Sequence, residues 1–386
     1  MKRSAMILFL TIVLTIYSLA CIYVFLSYKP VFQYFSIPVT IAAIIYFIIL
    51  MLFVVGRFLE RSVPAPWVFL MVKAGSYWLA ALLYFVLFLA ATDLLLLLVR
   101  ITGILSPDLL MKFSIYLKTG IASLVVILVI AGYRHAMKPI LRNYVLHTDK
   151  LPVGHPGYHI FFVSDVHLGS IRGQQSLQRL LTLVRQKEFD LVLFGGDTLD
   201  EDVAPVISQN LGKQLLSIQC KLGVYGIPGN HEYIGGIGPA LDYLRSHGMT
   251  ILTDESVKPD DHLLLIGRTD RDITRFTGYK RKALPDLIRN QQEKEFTILL
   301  DHQPFHLEEA ANAGIDLQLS GHTHNGQLWP FNLITRKIYE VSAGTLMKGD
   351  THFIVSAGFG TWGPPVRIGT TPEAWEIEIK PIVTRE

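Results

Sequence analysis

The sequence predicts an α/β domain, β-sandwich-like with flanking helices, behind a four-helix membrane region. Three observations carry that prediction. Four apolar stretches of about 20 residues, each long enough to cross a bilayer, are confined to the first third of the chain. Beyond them, short strand-like apolar runs alternate with helical patterning. Most of those runs end on a segment carrying Asp, Asn or His.

The expected spans are 5–27, 33–55, 75–99 and 116–133, within a membrane region 1–137. The first begins with Met1-Lys2-Arg3, like a signal peptide, but its apolar core runs on to Phe25 with no small-x-small site after it. Leu19-Ala20-Cys21 resembles a lipoprotein cleavage box, yet Ser18 stands where an aliphatic residue belongs. With the N-terminus inside, the inner segments hold Lys2, Arg3, Arg57, Arg61, Lys73, Arg134, Lys138 and Arg142, and the outer ones Lys29, Arg100, Lys112 and Lys118. That bias favours N-in and a cytoplasmic C-terminal domain. A second span inside the long apolar region 66–99 would reverse it. Asp93, near the outer end of the third span, is expected to reach the interface or Arg100.

Residues 138–156, with Pro139, Pro152 and Pro156, read as a linker to a domain at 157–386. There His159–Val163 leads into Asp165, and Leu191–Phe194 into Gly195-Gly196-Asp197. Val224–Ile227 leads into Gly229-Asn230-His231, Phe296–Leu300 into Asp301-His302, and Ile315–Leu319 into Gly321-His322. Leu177, Leu180, Leu181 and Val184 form a helical stripe. Strand signals continue at Lys337–Val341, His352–Ala357 and Ala374–Ile379. Open α/β sheets gather ligands beyond the carboxyl ends of their strands, where most of the Asp, Asn and His candidates fall.

Residues 1–142 hold 12 Lys/Arg against Glu60, Asp93 and Asp108, whereas 143–386 hold 23 Lys/Arg against 29 Asp/Glu. The net charge of +3 hides this split and is no argument for nucleic acid, which is not an expected partner. Cys21 and Cys220 offer neither a disulfide framework nor zinc-ligand spacing.

Asp165, His167, Asp197, Asn230, His302, His322 and His324 form a candidate ligand set of oxygens and imidazoles without sulfur. That chemistry suits hard-to-borderline divalent cations such as manganese, iron or zinc. Seven ligands exceed one four-coordinate site and suit two ions sharing a carboxylate, a device for in-line displacement at phosphorus. The ordered segments D-x-H, G-D-x-x-D, G-N-H-[DE], H and G-H-x-H resemble the calcineurin-like metallophosphoesterases over roughly residues 157–380. The tail Gly321-His322-Thr323-His324-Asn325-Gly326-Gln327 resembles their bacterial membrane-associated branch, with Asn325 in place of a glycine. Asn tolerates the positive φ that glycine would supply.

The resemblance implies a metallophosphoesterase β-sandwich. It places Asp165, His167, Asp197 and His324 around a first metal ion, and Asp197, Asn230, His302 and His322 around a second, with Asp197 bridging. It puts His231 beside the leaving group and Asp200 behind it as the orienting acid, a catalytic pair. In the phosphoprotein-phosphatase branch an arginine follows that acid; Glu201 stands there here, which argues against a phosphoprotein substrate. The basic run Arg268, Arg271, Arg275, Lys280, Arg281 and Lys282 reads either as a solvated loop with Asp270 and Asp272 as internal partners or as a site for an anionic headgroup or a nucleotide diphosphate. His306 is expected at the surface or behind the ligands.

The expected activity is that of a membrane-anchored phosphoesterase using two divalent ions on a lipid-linked or membrane-surface phosphoester, in a bacterial inner or plasma membrane. Pyrophosphate hydrolysis on a UDP-diacylglucosamine-type lipid and a soluble-nucleotide phosphodiesterase are alternatives within the class. Outside it stand a non-catalytic interaction module, which retention of all the ligands disfavours, and a transporter, for which Asp93 alone makes a poor polar pathway.

Overall fold

The computed structural model describes residues 3–288 and 295–382. Lys2, counted above for orientation, lies outside the described residues, as do 289–294 and 383–386 of the expected catalytic region. The chain divides into two compact units, Met1–Arg134 and His135–Glu386.

The first unit consists of α1 (Arg3–Tyr34), α2 (Val39–Leu59), α3 (Pro66–Thr102) and α4 (Pro107–Ala136). All four are long and apolar enough to cross a membrane. Backbone groups in hydrocarbon must be satisfied within the segment, which the helix accomplishes. The 66–99 region is one continuous helix, so the described residues hold four candidate spans, an even number. At 37 residues α3 is about 55 Å long, well beyond a hydrocarbon core of about 30 Å. Ile16, Phe47, Leu94 and Ile127 are exposed on the four helices, an outward apolar surface unsuited to water. The α2 and α3 backbones approach closely, because a Cβ on Gly75 would overlap the Phe53 backbone. Asp93 does not pair with Arg100. Its carboxylate accepts a hydrogen bond from the Tyr23 hydroxyl at 2.7 Å and meets Lys118 Nζ at 3.0 Å.

The second unit contains two six-stranded sheets. One runs β1 (Ile140–Thr148), β12 (Glu373–Pro381), β2 (Tyr158–Val163), β3 (Leu191–Phe194), β4 (Val224–Gly226), β5 (Thr250–Ile251). The other runs β10 (Gly344–Lys348), β11 (Thr351–Val355), β9 (Leu317–Ser320), β8 (Phe296–Leu300), β7 (Leu263–Gly267), β6 (Glu255–Asp260). Strands β2 to β5 are mutually parallel, as are β7, β8, β9 and β11.

Side-chain alternation builds three apolar layers. Ile160, Phe162, Leu191 and Leu193 of the first sheet pack with Leu265, Ile298, Leu317 and Leu319 of the second. Phe161, Val163, Val192 and Phe194 turn outward onto α5 (Gln174–Val184), whose Leu177, Leu180, Leu181 and Val184 stripe is buried as expected. Leu264, Ile266, Leu299 and Phe353 turn outward onto Leu284, Leu287, Leu307 and Ala310. Strands covered on both faces read as continuous apolar runs, which is why β2, β3, β8 and β9 were legible.

Two expectations change. The stretch 138–156, expected as linker, contains β1, which pairs in parallel with β12 from Ile140↔Glu373 to Thr148↔Pro381. It is an edge strand exposed over much of its length, so its composition is polar. The expected strand Lys337–Val341 is overridden by the helix Phe331–Ile338, whose apolar residues fall at i, i+3 and i+7.

Candidate metal centre

All seven predicted ligands converge beyond the carboxyl ends of β2, β3, β4, β8 and β9. The segment after β2 is tied to the segment after β3. The N–H of Asp165 donates to Gly196 O, and the N–H of His167 to Asp197 O, each at 3.0 Å. The N–H of His322 donates to both carboxylate oxygens of Asp165 at 3.0 Å. Three ligand segments are thereby fixed by main-chain donors before any cation is considered.

The backbone at these positions is unusual. Asp165, His167, Asp197, His322 and His324 have φ values of 54, 51, 51, 71 and 46°. Left-handed non-glycine residues each cost of order 1–3 kcal/mol and persist where surrounding contacts over-determine them. Asn325 has φ 45°, in keeping with its replacing a glycine. Gly229 is required for close approach: a Cβ there would overlap the Asp197 carboxylate.

Within the cluster, ligand atoms of Asp165, His167 and His324 lie within 4.8 Å of one another, as do those of Asp197, His302 and His322. His167 Nε2 faces His324 Nε2 at 3.0 Å, and His324 Nε2 is 3.5 Å from Asp165 Oδ1. Asn230 Oδ1 is 2.9 Å from His322 Nδ1. Asp197 Oδ2 stands between the groups, 3.1 Å from His302 Nε2 and 4.0 Å from His167 Nε2. His302 Nδ1 faces Gly195 O at 2.7 Å, which turns Nε2 toward Asp197.

Burial, with His302 beside it, pushes the His322 imidazole down to about 3. Burial, with His167 and Arg367 nearby, puts His324 well below the usual range. Both rings are therefore neutral, the form that binds a cation. Burial opposes ionisation of Asp197, but His302 and His231 hold its carboxyl well below the usual range. The buried His167 Nδ1 has no hydrogen-bond partner in the protein, while His302 Nε2 faces the Asp197 carboxylate. Imidazoles facing each other beside two buried carboxylates, with no sulfur, fit divalent cations.

His231 and Asp200 are brought together as expected, with Nδ1 3.4 Å from Oδ1. Both are buried. Burial alone pushes the His231 ring down; Asp197 and then Asp200 outweigh it and raise the pKa to about 9. The main-chain N–H of His231 donates to Asp197 Oδ1 at 2.9 Å, which ties the residue to the centre of the cluster. His306 is exposed and meets Glu308 at 3.4 Å, away from the ligands.

Three supporting residues carried no assigned role in the sequence. Glu232 is fully buried and accepts the N–H groups of Asp197, Leu199 and Gly229 at 3.2, 2.9 and 2.8 Å. Burial and the Asp197 charge raise its pKa to about 7. The motif position G-N-H-[DE] was the available signal. Arg367 is buried, donates to Ala357 O, Gly358 O and Gly360 O, and lies 3.3 Å from His324 Nδ1. Asp301 meets Arg268 at 3.2 Å and Arg281 at 3.0 Å. The basic run is thus partly internal: Arg268 is buried, and Arg271 lies over the Phe305 ring at 4.1 Å. Asp270, expected to partner these cations, accepts from the N–H of Asp272 at 2.8 Å and from Gln303 Nε2 at 2.9 Å.

Residues 158–326 match the calcineurin-like phosphoesterase family. An uncharacterized metallophosphoesterase of Aquifex aeolicus (strain VF5) is 32% identical over 256 residues, 65% of this chain and 96% of that one. An uncharacterized metallophosphoesterase of Helicobacter pylori (strain J99 / ATCC 700824) is 34% identical over 255 residues, covering 64% of this chain and 66% of its own length. A Bos taurus transmembrane protein with metallophosphoesterase domain is 28% identical over 257 residues, 63% of this chain and 57% of that one. The chain belongs to the calcineurin-like metallophosphoesterase family, whose members use divalent metals.

Proposed function

We propose that this protein is a membrane-anchored hydrolase that uses two divalent cations to cleave a lipid-linked or membrane-surface phosphoester from the cytoplasmic side. The observation that carries the reading is the placement of the Asp197 carboxylate between His167 and His302, each backed by its own ligand group. Asp165, His167, Asp197 and His324 would hold one cation, and Asp197, Asn230, His302 and His322 the other. When bound, such cations act as Lewis acids and activate water at neutral pH; manganese, iron and zinc suit these donors.

The remaining work falls to the chain's own residues. Asn230 offers a neutral oxygen, adding no negative charge against an incoming phosphate. Asp200 faces His231 Nδ1, which leaves Nε2 for the leaving oxygen. The Asp200 carboxylate, 3.4 Å from Nδ1, favours the protonated ring, from which His231 can donate a proton as the ester bond breaks. The Glu232 carboxylate keeps the Asp197 and Asn230 segments in register through their N–H groups. The membrane assignment is supported by four apolar helices in the same chain, and the cytoplasmic orientation by the excess of Lys and Arg on the inner segments.

The test is to load the purified full-length protein with manganese, iron or zinc and screen lipid phosphoesters in bilayers alongside soluble nucleotides and a chromogenic diester. Faster turnover of a bilayer-borne phosphoester is expected. A preference for soluble nucleotides would overturn the substrate class. Bound metal without turnover of any phosphoester would overturn the enzymatic reading itself.

A further inference from the structure

The helix Phe331–Ile338 is turned inside out. Its polar residues face the protein: Asn332 is buried, and half-buried Thr335 Oγ1 lies 2.9 Å from Ser342 Oγ. Ser342 Oγ is in turn 3.1 Å from Asn325 Oδ1, in the ligand-bearing segment. Its apolar residues face outward, with Phe331, Leu333, Ile334 and Ile338 exposed by 43, 50, 52 and 56%. A surface helix of a water-soluble domain ordinarily shows the reverse pattern. The outward surface also carries the basic Arg336 and Lys337, and no acid lies within the helix.

We infer that this helix is an interfacial membrane-docking element that seats its apolar face at the headgroup–acyl boundary of an anionic bilayer, beside the metal centre. The bilayer is the favoured occupant for two reasons. The same chain carries four helices apolar enough to span it, and only three residues separate the end of α4 at Ala136 from the first strand of the catalytic unit at Ile140. The pattern of apolar residues with neighbouring cations is also the chemistry of helices that lie in an anionic interface. The aromatic side chains of Trp329 and Trp362 are exposed nearby in the chain and the fold, as suits a membrane–water boundary. Trp329 directly precedes the helix by way of Pro330, and Trp362 O accepts from Gln327. The Trp362 ring lies 6.4 Å from that of His231, so a bilayer contacting this surface would present its headgroups next to the leaving-group side of the site. The inference deepens the membrane-surface reading above by naming the surface through which the site reaches its substrate.

The test measures depth rather than turnover, so its failure is separable from failure of the proposed activity. Leu333→Cys, Ile334→Cys and Ile338→Cys are each made in the full chain with Cys21→Ala and Cys220→Ser, labelled with a nitroxide and placed in nanodiscs containing anionic lipid. Val153→Cys, at an exposed loop position, is the aqueous control. Collision with oxygen, which partitions into lipid, is compared with collision with a water-soluble nickel chelate. Oxygen is expected to dominate at the three helix positions and the nickel chelate at Val153. Arg336→Glu with Lys337→Glu is expected to shift the helix positions toward the nickel chelate in anionic discs. Three results would overturn the inference: helix labels as accessible to nickel as Val153; spin–spin broadening between copies, which would indicate a second molecule; or labels shielded from both reagents, which would indicate packing against the protein's own helices.

Discussion

The carboxylate of Glu232 accepts the backbone N–H of Asp197 at 3.2 Å, so the residue at the centre of the ligand cluster is held by a buried acid 35 positions away. The same carboxylate takes the N–H groups of Leu199 and Gly229. Glu232→Gln leaves one oxygen for three donors and turns an amide N–H₂ toward the others. An unsatisfied buried donor costs about 1–3 kcal/mol, so a fall in stability of that order is expected. Metal affinity should fall with it, although Glu232 is not proposed as a ligand. Urea unfolding of the metal-free protein and metal titration check both parts. Unchanged stability and affinity would show that this carboxylate does not organise the site.

Asp197→Asn should lower metal content more than Asn230→Ala does. The Asp197 carboxylate lies between both ligand groups, whereas Asn230 lies against His322 only. Elemental analysis of the purified variants decides it. A full complement of metal in Asp197→Asn would reject the shared-carboxylate assignment.

The candidate ligands were legible because each follows a buried apolar strand, and such strands announce their ends. The residues that hold the ligands were not. Arg367 supports His324 from 43 positions away, and nothing local marks a single arginine as buried. Asp301 looked like part of a ligand segment, yet its side chain is committed to Arg268 and Arg281. Strand β1 was missed because an edge strand needs little apolar sequence, and the end of the helix Phe331–Ile338 reads as strand because Ile338, Tyr339 and Val341 are β-branched or aromatic. In each case a long-range partner, absent from the local pattern, decided the structure.

Arg268 illustrates the consequence. It is buried against Asp301 and also meets Glu309, so it is an internal ion-pair partner rather than a headgroup ligand. Removing one member of a buried pair typically costs about 3–5 kcal/mol; Arg281 still faces Asp301, so Arg268→Met should cost about 3. Activity on soluble and bilayer-borne phosphoesters should fall together. Selective loss on the bilayer substrate, with unchanged unfolding, would restore the headgroup reading.

The catalytic unit should be cytoplasmic. In a bacterial host, a C-terminal alkaline phosphatase fusion should be inactive and a C-terminal fluorescent fusion that matures only in the cytoplasm should glow. Four candidate spans among the described residues and the excess of Lys and Arg on the N-in inner segments support this outcome. An active phosphatase with a dark fluorescent fusion would reverse the topology.

His231 and Asp200 should act as one unit on the leaving group. Their side chains meet at 3.4 Å, and both are buried beside the ligand cluster. If neither holds a cation, His231→Ala and Asp200→Asn should leave metal content nearly intact. The chemical step should slow instead, since general-acid help contributes roughly 10²–10⁴-fold. An alkoxide leaving group needs a proton and should suffer most, whereas a nitrophenolate is stable enough to depart without one. Because Asp200 is proposed to work through His231, the double variant should be little slower than His231→Ala alone. The measurement is kcat for the two single variants and the double variant on alkyl and nitrophenyl esters, with metal content determined in each. Loss of metal from His231→Ala would make the histidine a ligand, which the proximity of His167, Asp200 and His231 within 4.8 Å leaves as the competing geometry. An equal deficit on both leaving groups would remove the proton-donor role.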